Sequence, residues 1–333
     1  MNINKIHQVI LEEPKYRFQQ INRALFEEYI SSWEEASALP RVLREKLEQE
    51  CPITIQAEAL KQGRTEKALI TLEDGEAVET VLIRGKDKRN TVCVSSQIGC
   101  AMNCAFCATG QAGFCRNLTS YEIVEQVVFW QRHLKKDQEK VDNIVFMGMG
   151  EPFNNYVEFI KSVKFLNNPE TLNIGARRIS VSTVGVLDGI KRIAGEKLQI
   201  NLAISLHASN DSIRQALIPS AGKYKISDIL RSTDDYIKRT GRRVMFEYML
   251  IKDINDSDKN ANELAVLMRK PLCMVNLIPY NTTGNKYKAS SRERIEEFKK
   301  ILEEKRVAVT VRHSSGQDIS AACGQLKGDR IKK

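Results

Sequence analysis

Three cysteines, Cys100, Cys104 and Cys107, stand in the run Gly-Cys-Ala-Met-Asn-Cys-Ala-Phe-Cys-Ala-Thr-Gly. The C-x3-C-x2-C spacing offers three thiolates and no fourth. A [4Fe-4S] cluster is normally held by four cysteines, so three would leave one iron open. An open iron can chelate the amino and carboxylate groups of S-adenosylmethionine, and an electron from the cluster then cleaves the sulfonium to a 5'-deoxyadenosyl radical. The protein's share of such chemistry is to bind, aim and shield it. Two other readings of the same residues stay open: a zinc site completed by a distant His or Cys, and three unrelated thiols kept reduced. Zinc sites usually pair C-x2-C knuckles, and no second pair occurs in this chain.

Such a site must sit where strands end. From about residue 90 short apolar runs alternate with helical stretches: Thr91–Ser95, Asn143–Met147, Arg178–Ser182, Gln199–Ser205, Arg243–Leu250 and Cys273–Ile278, with Val307–Val311 a further candidate. Repeated βα units predict a parallel sheet, here an α/β fold with a partial six-unit barrel over 91–312. The polar motifs then fall at the C-terminal ends of the strands: the cysteine run, Gly148-Met149-Gly150-Glu151-Pro152, Ser182-Thr183, Ser205-Leu206-His207 and Pro279-Tyr280-Asn281. Barrel enzymes collect their chemistry on that rim. Upstream, residues 1–52 show helical periodicity broken by Pro14 and Pro40, with Lys15, Arg17, Arg41, Arg44 and Lys46 on polar faces. Within 53–90, two β-rich runs flank Asp74-Gly75 and predict a hairpin. Residues 313–333 are expected to form a C-terminal loop.

A chain of 333 residues with 42% hydrophobic residues can bury a substantial core. It carries no apolar run of membrane length and no signal-peptide pattern at its N-terminus, so a cytoplasmic protein without a membrane partner is expected. The net charge of +9 gathers at Lys86/Lys88/Arg89, Arg177/Arg178, Lys238/Arg239/Arg242/Arg243 and the tail Lys327/Arg330/Lys332/Lys333. Clusters of this kind suit a phosphate backbone, although surplus surface lysine explains them equally well. Cys51 and Cys273 lie beside apolar segments and read as buried packing residues. Cys115, downstream of the triplet, would block cofactor binding if it were a fourth ligand.

Phe106 before Cys107, together with the Gly-Met-Gly-Glu-Pro turn, resembles the signatures of radical S-adenosylmethionine enzymes. Adding Cys93 in Thr-Val-Cys-Val-Ser-Ser-Gln-Ile-Gly-Cys and Cys323 in Asp-Ile-Ser-Ala-Ala-Cys-Gly-Gln-Leu narrows the resemblance to the RlmN family of adenine C2-methyltransferases. Glu79-Thr80-Val81, Ser205-Leu206-His207-Ala208 and Asn276-Leu277-Ile278-Pro279-Tyr280-Asn281 extend it over nearly the whole chain. The resemblance implies one [4Fe-4S] cluster on Cys100, Cys104 and Cys107, and two molecules of S-adenosylmethionine consumed per methylation. Gly150, Glu151, Ser182, Ser205, Leu206, His207 and Asn281 would contact the cofactor. It further implies a ping-pong route: Cys323 takes a methyl group, and a 5'-deoxyadenosyl radical removes hydrogen from it. The methylene adds to adenine C2, Cys93 resolves the adduct through a transient disulfide, and Glu79 accepts the proton. Implied partners are 23S rRNA, tRNA (at the adenosine 3' of the anticodon) and an electron donor such as flavodoxin or ferredoxin, with the enzyme a monomer whose residues 1–52 contact RNA. From residue type alone Glu79 would be a solvated hairpin carboxylate, and His207 a packed, hydrogen-bonded core histidine.

Two rivals remain. The Cfr-type C8 adenine methyltransferases, which confer ribosomal antibiotic resistance, share the five cysteines; Pro152 favours C2, while Pro219-Ser220-Ala221-Gly222-Lys223-Tyr224 departs from the usual C2 pattern. A non-catalytic RNA-binding protein with an iron-sulfur or zinc staple would account for the charge and the triplet but not for Cys93 and Cys323.

Overall fold

A computed structural model of the chain describes residues 3–312 and 316–328. Arg330, Lys332 and Lys333 of the basic tail, and part of the closing loop, lie outside the described residues. Three helices come first: α1 (Ile3–Val9), α2 (Lys15–Phe26) and α3 (Arg41–Glu50). Pro14 and Pro40 stand immediately before α2 and α3, where a missing N–H costs nothing. Ile3, Ile6, Ile21, Leu25, Leu43 and Leu47 form their buried stripe. Trp33 locks the helices together, its indole N–H donating to the Cys51 carbonyl at 2.8 Å.

Antiparallel strands follow: β1 (Ala57–Gln62), β2 (Thr65–Thr71) and β3 (Ala77–Arg84). The predicted hairpin is β2–β3, but it is not a separate extension. β3 pairs antiparallel with β4 (Asn90–Val94), Val81 opposite Cys93, so hairpin and barrel share one ten-stranded sheet. The buried apolar face of β3, Val78, Val81 and Leu82, needs that cover.

β4 leads into a small antiparallel pair, β5 (Gln97–Gly99) and β6 (Phe114–Asn117), which brackets the cysteine run and the short α4 (Ala108–Ala112). Then βα units repeat: α5 (Ser120–Lys135), β7 (Asn143–Phe146), α6 (Tyr156–Asn167), β8 (Ile179–Thr183), α7 (Leu187–Ile193) and β9 (Asn201–Ser205). They continue through α8 (Asp211–Leu217), α9 (Ile226–Thr240), β10 (Val244–Leu250), α10 (Asp258–Met268), β11 (Cys273–Pro279), α11 (Arg292–Glu304) and β12 (Val309–Val311). β4, β7, β8, β9, β10, β11 and β12 are parallel neighbours in that order, one unit more than the six expected. The array stays open, because β4 continues to β3 and β12 forms an edge. Local signals fit each helix: Thr119 and Glu122 make a capping box on α5, and Gly241 ends α9 at φ +65°.

The helical segment docks on the outside of α5 and α6. Phe26 meets Phe165 edge-on at 5.1 Å, and Tyr121 donates to Asn4 at 2.7 Å. Of its cations, Arg17 and Arg44 are tied to the Ala38 and Glu34 carbonyls, while Lys15, Arg41 and Lys46 are exposed. Among the described residues, no helix is long and apolar enough to cross a membrane.

Candidate active site

One cavity of about 210 Å³ opens at the C-terminal ends of the parallel strands. Val81 of β3, Cys93 of β4, Phe146 of β7, Ser182 of β8, Ser205 of β9, Glu247 of β10, Ile278 of β11 and Arg312 just beyond β12 all line it, so the open sheet is strongly curled around one space. Three of the basic clusters sit elsewhere. Lys86/Lys88/Arg89, Arg177/Arg178 and Lys238/Arg239/Arg242/Arg243 precede the starts of β4, β8 and β10, on the rim opposite the cavity. These clusters therefore do not surround the mouth of the cavity.

The cysteine run is folded tightly by backbone contacts. Gly99, at φ +71°, lies so close to the Gly113 carbonyl that a side chain would overlap it. The Cys100 N–H donates to that carbonyl at 2.7 Å, and the Ala105 N–H to the Leu217 carbonyl at 2.9 Å. Cys100 and Cys104 are buried and Cys107 half-buried. Burial pushes the Cys100 thiol up to about 12 and raises those of Cys104 and Cys107; the three interact with one another. Beside Cys104 lies Arg214, 1% exposed, whose guanidinium donates to the carbonyls of Ser205 at 3.0 Å, Leu206 at 2.5 Å and Val184. Its Nε has no hydrogen-bond partner. Three thiols that lie in one another's field, with Cys104 beside a buried guanidinium, suit an anionic thiolate cluster.

The turn after β7 packs against the turn after β4. A Cβ on Gly148 would lie 2.6 Å from Ser95 Oγ, and one on Gly150, at φ +98°, 2.6 Å from Gln97 Cβ. The Glu151 N–H donates to Gln97 Oε1 at 2.8 Å. The Glu151 carboxylate accepts from the amides of Phe153 at 3.0 Å and Val184 at 2.8 Å, joining the ends of β7 and β8. Burial raises this carboxyl to about 7 against the pull of those donors. The side chain lines the cavity, but its first role is to hold the rim together.

Ser182 and Ser205, on adjacent strands, share a hydrogen bond of 2.9 Å at the cavity wall. His207, at φ +56°, lines the cavity with its ring edge on Phe106 at 5.0 Å. Its Nδ1 accepts from the Met249 N–H at 3.0 Å, and burial drops it to about 3, so the imidazole is neutral. It is thus both packed and at the site. Leu206 and Asn281 differ from expectation. The Leu206 side chain is buried in the core, its carbonyl taken by Arg214. Asn281 binds the closing segment, its amide donating to the Cys323 carbonyl at 3.2 Å and its oxygen accepting from Gln317 at 2.8 Å. Neither is among the residues that line the cavity.

Cys93 and Cys323 face the same cavity and each other's field. Burial, reinforced by Cys323, pushes Cys93 up to about 12. Cys323 arrives on a strap fixed by the Ala108 N–H to the Gly324 carbonyl at 2.7 Å and by Thr109 Oγ1 to the Leu326 carbonyl at 2.6 Å. Glu79 is not the solvated carboxylate that residue type suggested: it is 2% exposed, ion-paired with Lys67, and does not line the cavity. Central strand β3 carries it inside the sheet, where water does not reach.

Sequence reasoning missed three charged side chains here: Arg214, Arg312 and Glu247. Arg312 lies in the field of Cys323, Glu247 and Cys93. Glu247 accepts from Asn276 at 2.8 Å, and burial raises its carboxyl. The signal available for Arg312 was its place just after the seventh apolar run, on the same rim as the other motifs. Cys51 and Cys273 are buried and Cys115 is exposed on β6.

Residues 94–265 match the Radical SAM superfamily. The chain is 44% identical to the ribosomal RNA large subunit methyltransferase N of Nitrosopumilus maritimus, covering 95% of this chain and 93% of that protein. It is 45% identical to a probable dual-specificity RNA methyltransferase RlmN of Bacillus licheniformis, over 95% of this chain and 88% of that one. A radical SAM methyltransferase from Sphaerobacter thermophilus superposes with a TM-score of 0.94 at 43% identity, covering 99% of this chain and 98% of that structure. With the cysteine run, the Gly-Met-Gly-Glu turn and the paired thiols on one curled parallel sheet, the chain belongs to the radical S-adenosylmethionine superfamily and, within it, to the RlmN family of methyltransferases.

Proposed function

We propose that this methyltransferase modifies C2 of an adenine in 23S rRNA and in tRNA, carrying the methyl group on Cys323. The observation that carries the reading is that Cys93 and Cys323 line one cavity with Cys107, Phe106 and the serine pair. An adenine C2 is not nucleophilic, so a direct displacement at a sulfonium would fail there; a carbon radical can add to it. Cys100, Cys104 and Cys107 would hold the cluster; with bound S-adenosylmethionine it supplies the 5'-deoxyadenosyl radical that activates the S-methyl of Cys323. Gly150, Glu151, Ser182, Ser205 and His207 would orient the cofactor at the rim, His207 as a neutral acceptor already aligned by Met249.

The protein's own steps are then few. Cys323 receives the methyl carbon on Sγ, and its methylene becomes bonded to adenine C2. The unpaired electron of the C2 adduct would return to the cluster. Cys93 Sγ then attacks Cys323 Sγ, the bond from that sulfur to the methylene breaks with its electron pair left on carbon, and a disulfide takes its place. The C2 proton passes to Glu79, and the methylene takes a proton from solvent to become the methyl group. Thiolate access governs the attack, and its raised pKa means that Cys93 becomes nucleophilic only as its proton leaves. The target base must be taken out of its stack to enter so narrow a cavity. The Bacillus relative, a probable dual-specificity RNA methyltransferase, supports more than one RNA substrate, and the Nitrosopumilus relative supports ribosomal RNA as one of them. The test is Cys93→Ala protein expressed with its RNA: the adduct to Cys323 should persist under denaturing conditions. Recovery of S-methyl-Cys323 protein free of nucleic acid would remove the disulfide step.

A further inference from the structure

Lys67, on β2, has a role that the reaction above leaves unstated. Its Nζ lies 2.7 Å from Glu79 Oε1, with both side chains buried, at 8% and 3% exposure. Two opposite charges taken out of water recover their desolvation cost only when further hydrogen bonds complete them. Here those bonds come from the strap that carries Cys323. Glu79 Oε2 accepts the amides of Lys327 at 2.6 Å and Gly328 at 3.1 Å, and Lys67 Nζ donates to the Ser320 carbonyl at 3.5 Å. The pair therefore grips the strap on both sides of Cys323. Gly328 runs tight along this wall at φ +76°, where an added Cβ would lie 3.0 Å from Met149 Cε.

With Oε1 on Lys67 and Oε2 on two tail amides, Glu79 has no oxygen turned to the cavity. We propose that Lys67 is a positioning residue: it holds Glu79 by Oε1 and leaves Oε2 to be exchanged between the Lys327–Gly328 amides and the substrate's C2 proton. The tail-docked arrangement is then the state in which Cys323 receives its methyl group, and release of the tail is what frees the base. No new bond or electron is involved; the proton of the resolution step arrives at Oε2 once the amides have left it. The inference rests on Glu79 being the proton acceptor, as proposed above.

The test is a single turnover of protein carrying preformed S-methyl-Cys323, with three pools followed by denaturing gel and mass spectrometry: methylated protein, covalent RNA adduct and released methylated RNA. Lys67→Met, loaded with S-methyl-Cys323 beforehand, should slow adduct resolution by ~10²-fold, the low end of what a positioned general base contributes. Glu79→Gln should stall at the same adduct, and Lys67→Arg should restore release. If Lys67→Met resolves at the wild-type rate while Glu79→Gln stalls, the positioning role is overturned and Glu79 stands; if Glu79→Gln also resolves normally, the reading of Glu79 falls. A second measurement does not depend on Lys67→Met folding. Amide hydrogen exchange at Lys327 and Gly328 should be slow in the free protein and fast in the adduct trapped by Cys93→Ala, and equal protection in both states overturns the exchange of Oε2.

Discussion

Gly150→Ala adds one methyl group at the turn that aims Glu151, and a second glycine in the same chain supplies its control. Gly150 has φ +98° and Gly241 φ +65°, so alanine is strained at either position. They differ in what the new carbon meets. At Gly241 nothing lies within 4 Å, whereas at Gly150 the Cβ falls 2.6, 2.7 and 2.9 Å from Gln97 Cβ, Cγ and N. Gln97 cannot swing aside freely, because its amide donates to Asn117 at 2.7 Å and its oxygen accepts the Glu151 N–H at 2.8 Å. Strain alone should cost Gly241→Ala about 1 kcal/mol. Gly150→Ala should add about 1–3 kcal/mol for overpacking and about 1 kcal/mol for each hydrogen bond that Gln97 surrenders. The pair should therefore differ by about 2–5 kcal/mol in urea unfolding of the metal-free protein, with m unchanged. Gly150→Ala should also lose reductive cleavage of S-adenosylmethionine after cluster reconstitution, and Gly241→Ala should keep it. Equal destabilisation of the two variants would refute the close packing of the β4 and β7 turns as the reason for the glycine.

Other consequences follow from buried charge. His207 is held at about 3 when folded against 6.5 when free, so the unfolded chain binds its proton first; stability is complete above pH 6.5 and falls as pH drops toward 3. Between pH 8 and pH 5 this one group removes about 2 kcal/mol, and His207→Asn should flatten the fall in Tm by a corresponding amount; an unchanged slope contradicts a buried neutral imidazole. Cys115→Ala should leave iron content and cluster absorbance intact, since Cys115 is exposed on β6; loss of the cluster would make it a ligand. Arg214→Met should lower iron retention and unfold more readily by about 1–3 kcal/mol for each buried carbonyl left without its donor; full iron content in a folded variant would remove the guanidinium from the cluster's environment. Neutralising Arg177, Arg178, Arg242 and Arg243 together should leave adduct resolution unchanged, because these residues stand on the far rim; a slowed chemical step contradicts that placement.

The parallel strands were legible because each is an apolar run bounded by polar turns, and the cysteine run could be set at a strand end by position alone. β1 escaped notice: Ala-Glu-Ala-Leu-Lys-Gln carries no buried residue, and it is held by edge pairing with β2 and by Gln62 to Asp318. The buried ion pair and the guanidiniums were illegible for a different reason. A charged residue reads as solvated until its through-space partners are known, and the partners of Glu79 lie 12 positions upstream at Lys67 and 248 downstream at Lys327. Arg214 is likewise explained only by three carbonyls from the ends of β8 and β9. Cys93 and Cys323 were singled out by family resemblance, and a separation of 230 positions hides their convergence on one cavity.

The central claim, transfer of a methylene through Cys323 to adenine C2, is tested most directly by nucleoside mass spectrometry. Anaerobically reconstituted protein would be incubated with methyl-deuterated S-adenosylmethionine and unmodified 23S rRNA and tRNA. The account predicts 2-methyladenosine carrying two deuteriums from the methyl group, the third having left in the hydrogen-abstraction step. Three retained deuteriums, label in 8-methyladenosine, or no labelled adenosine in either RNA would contradict it.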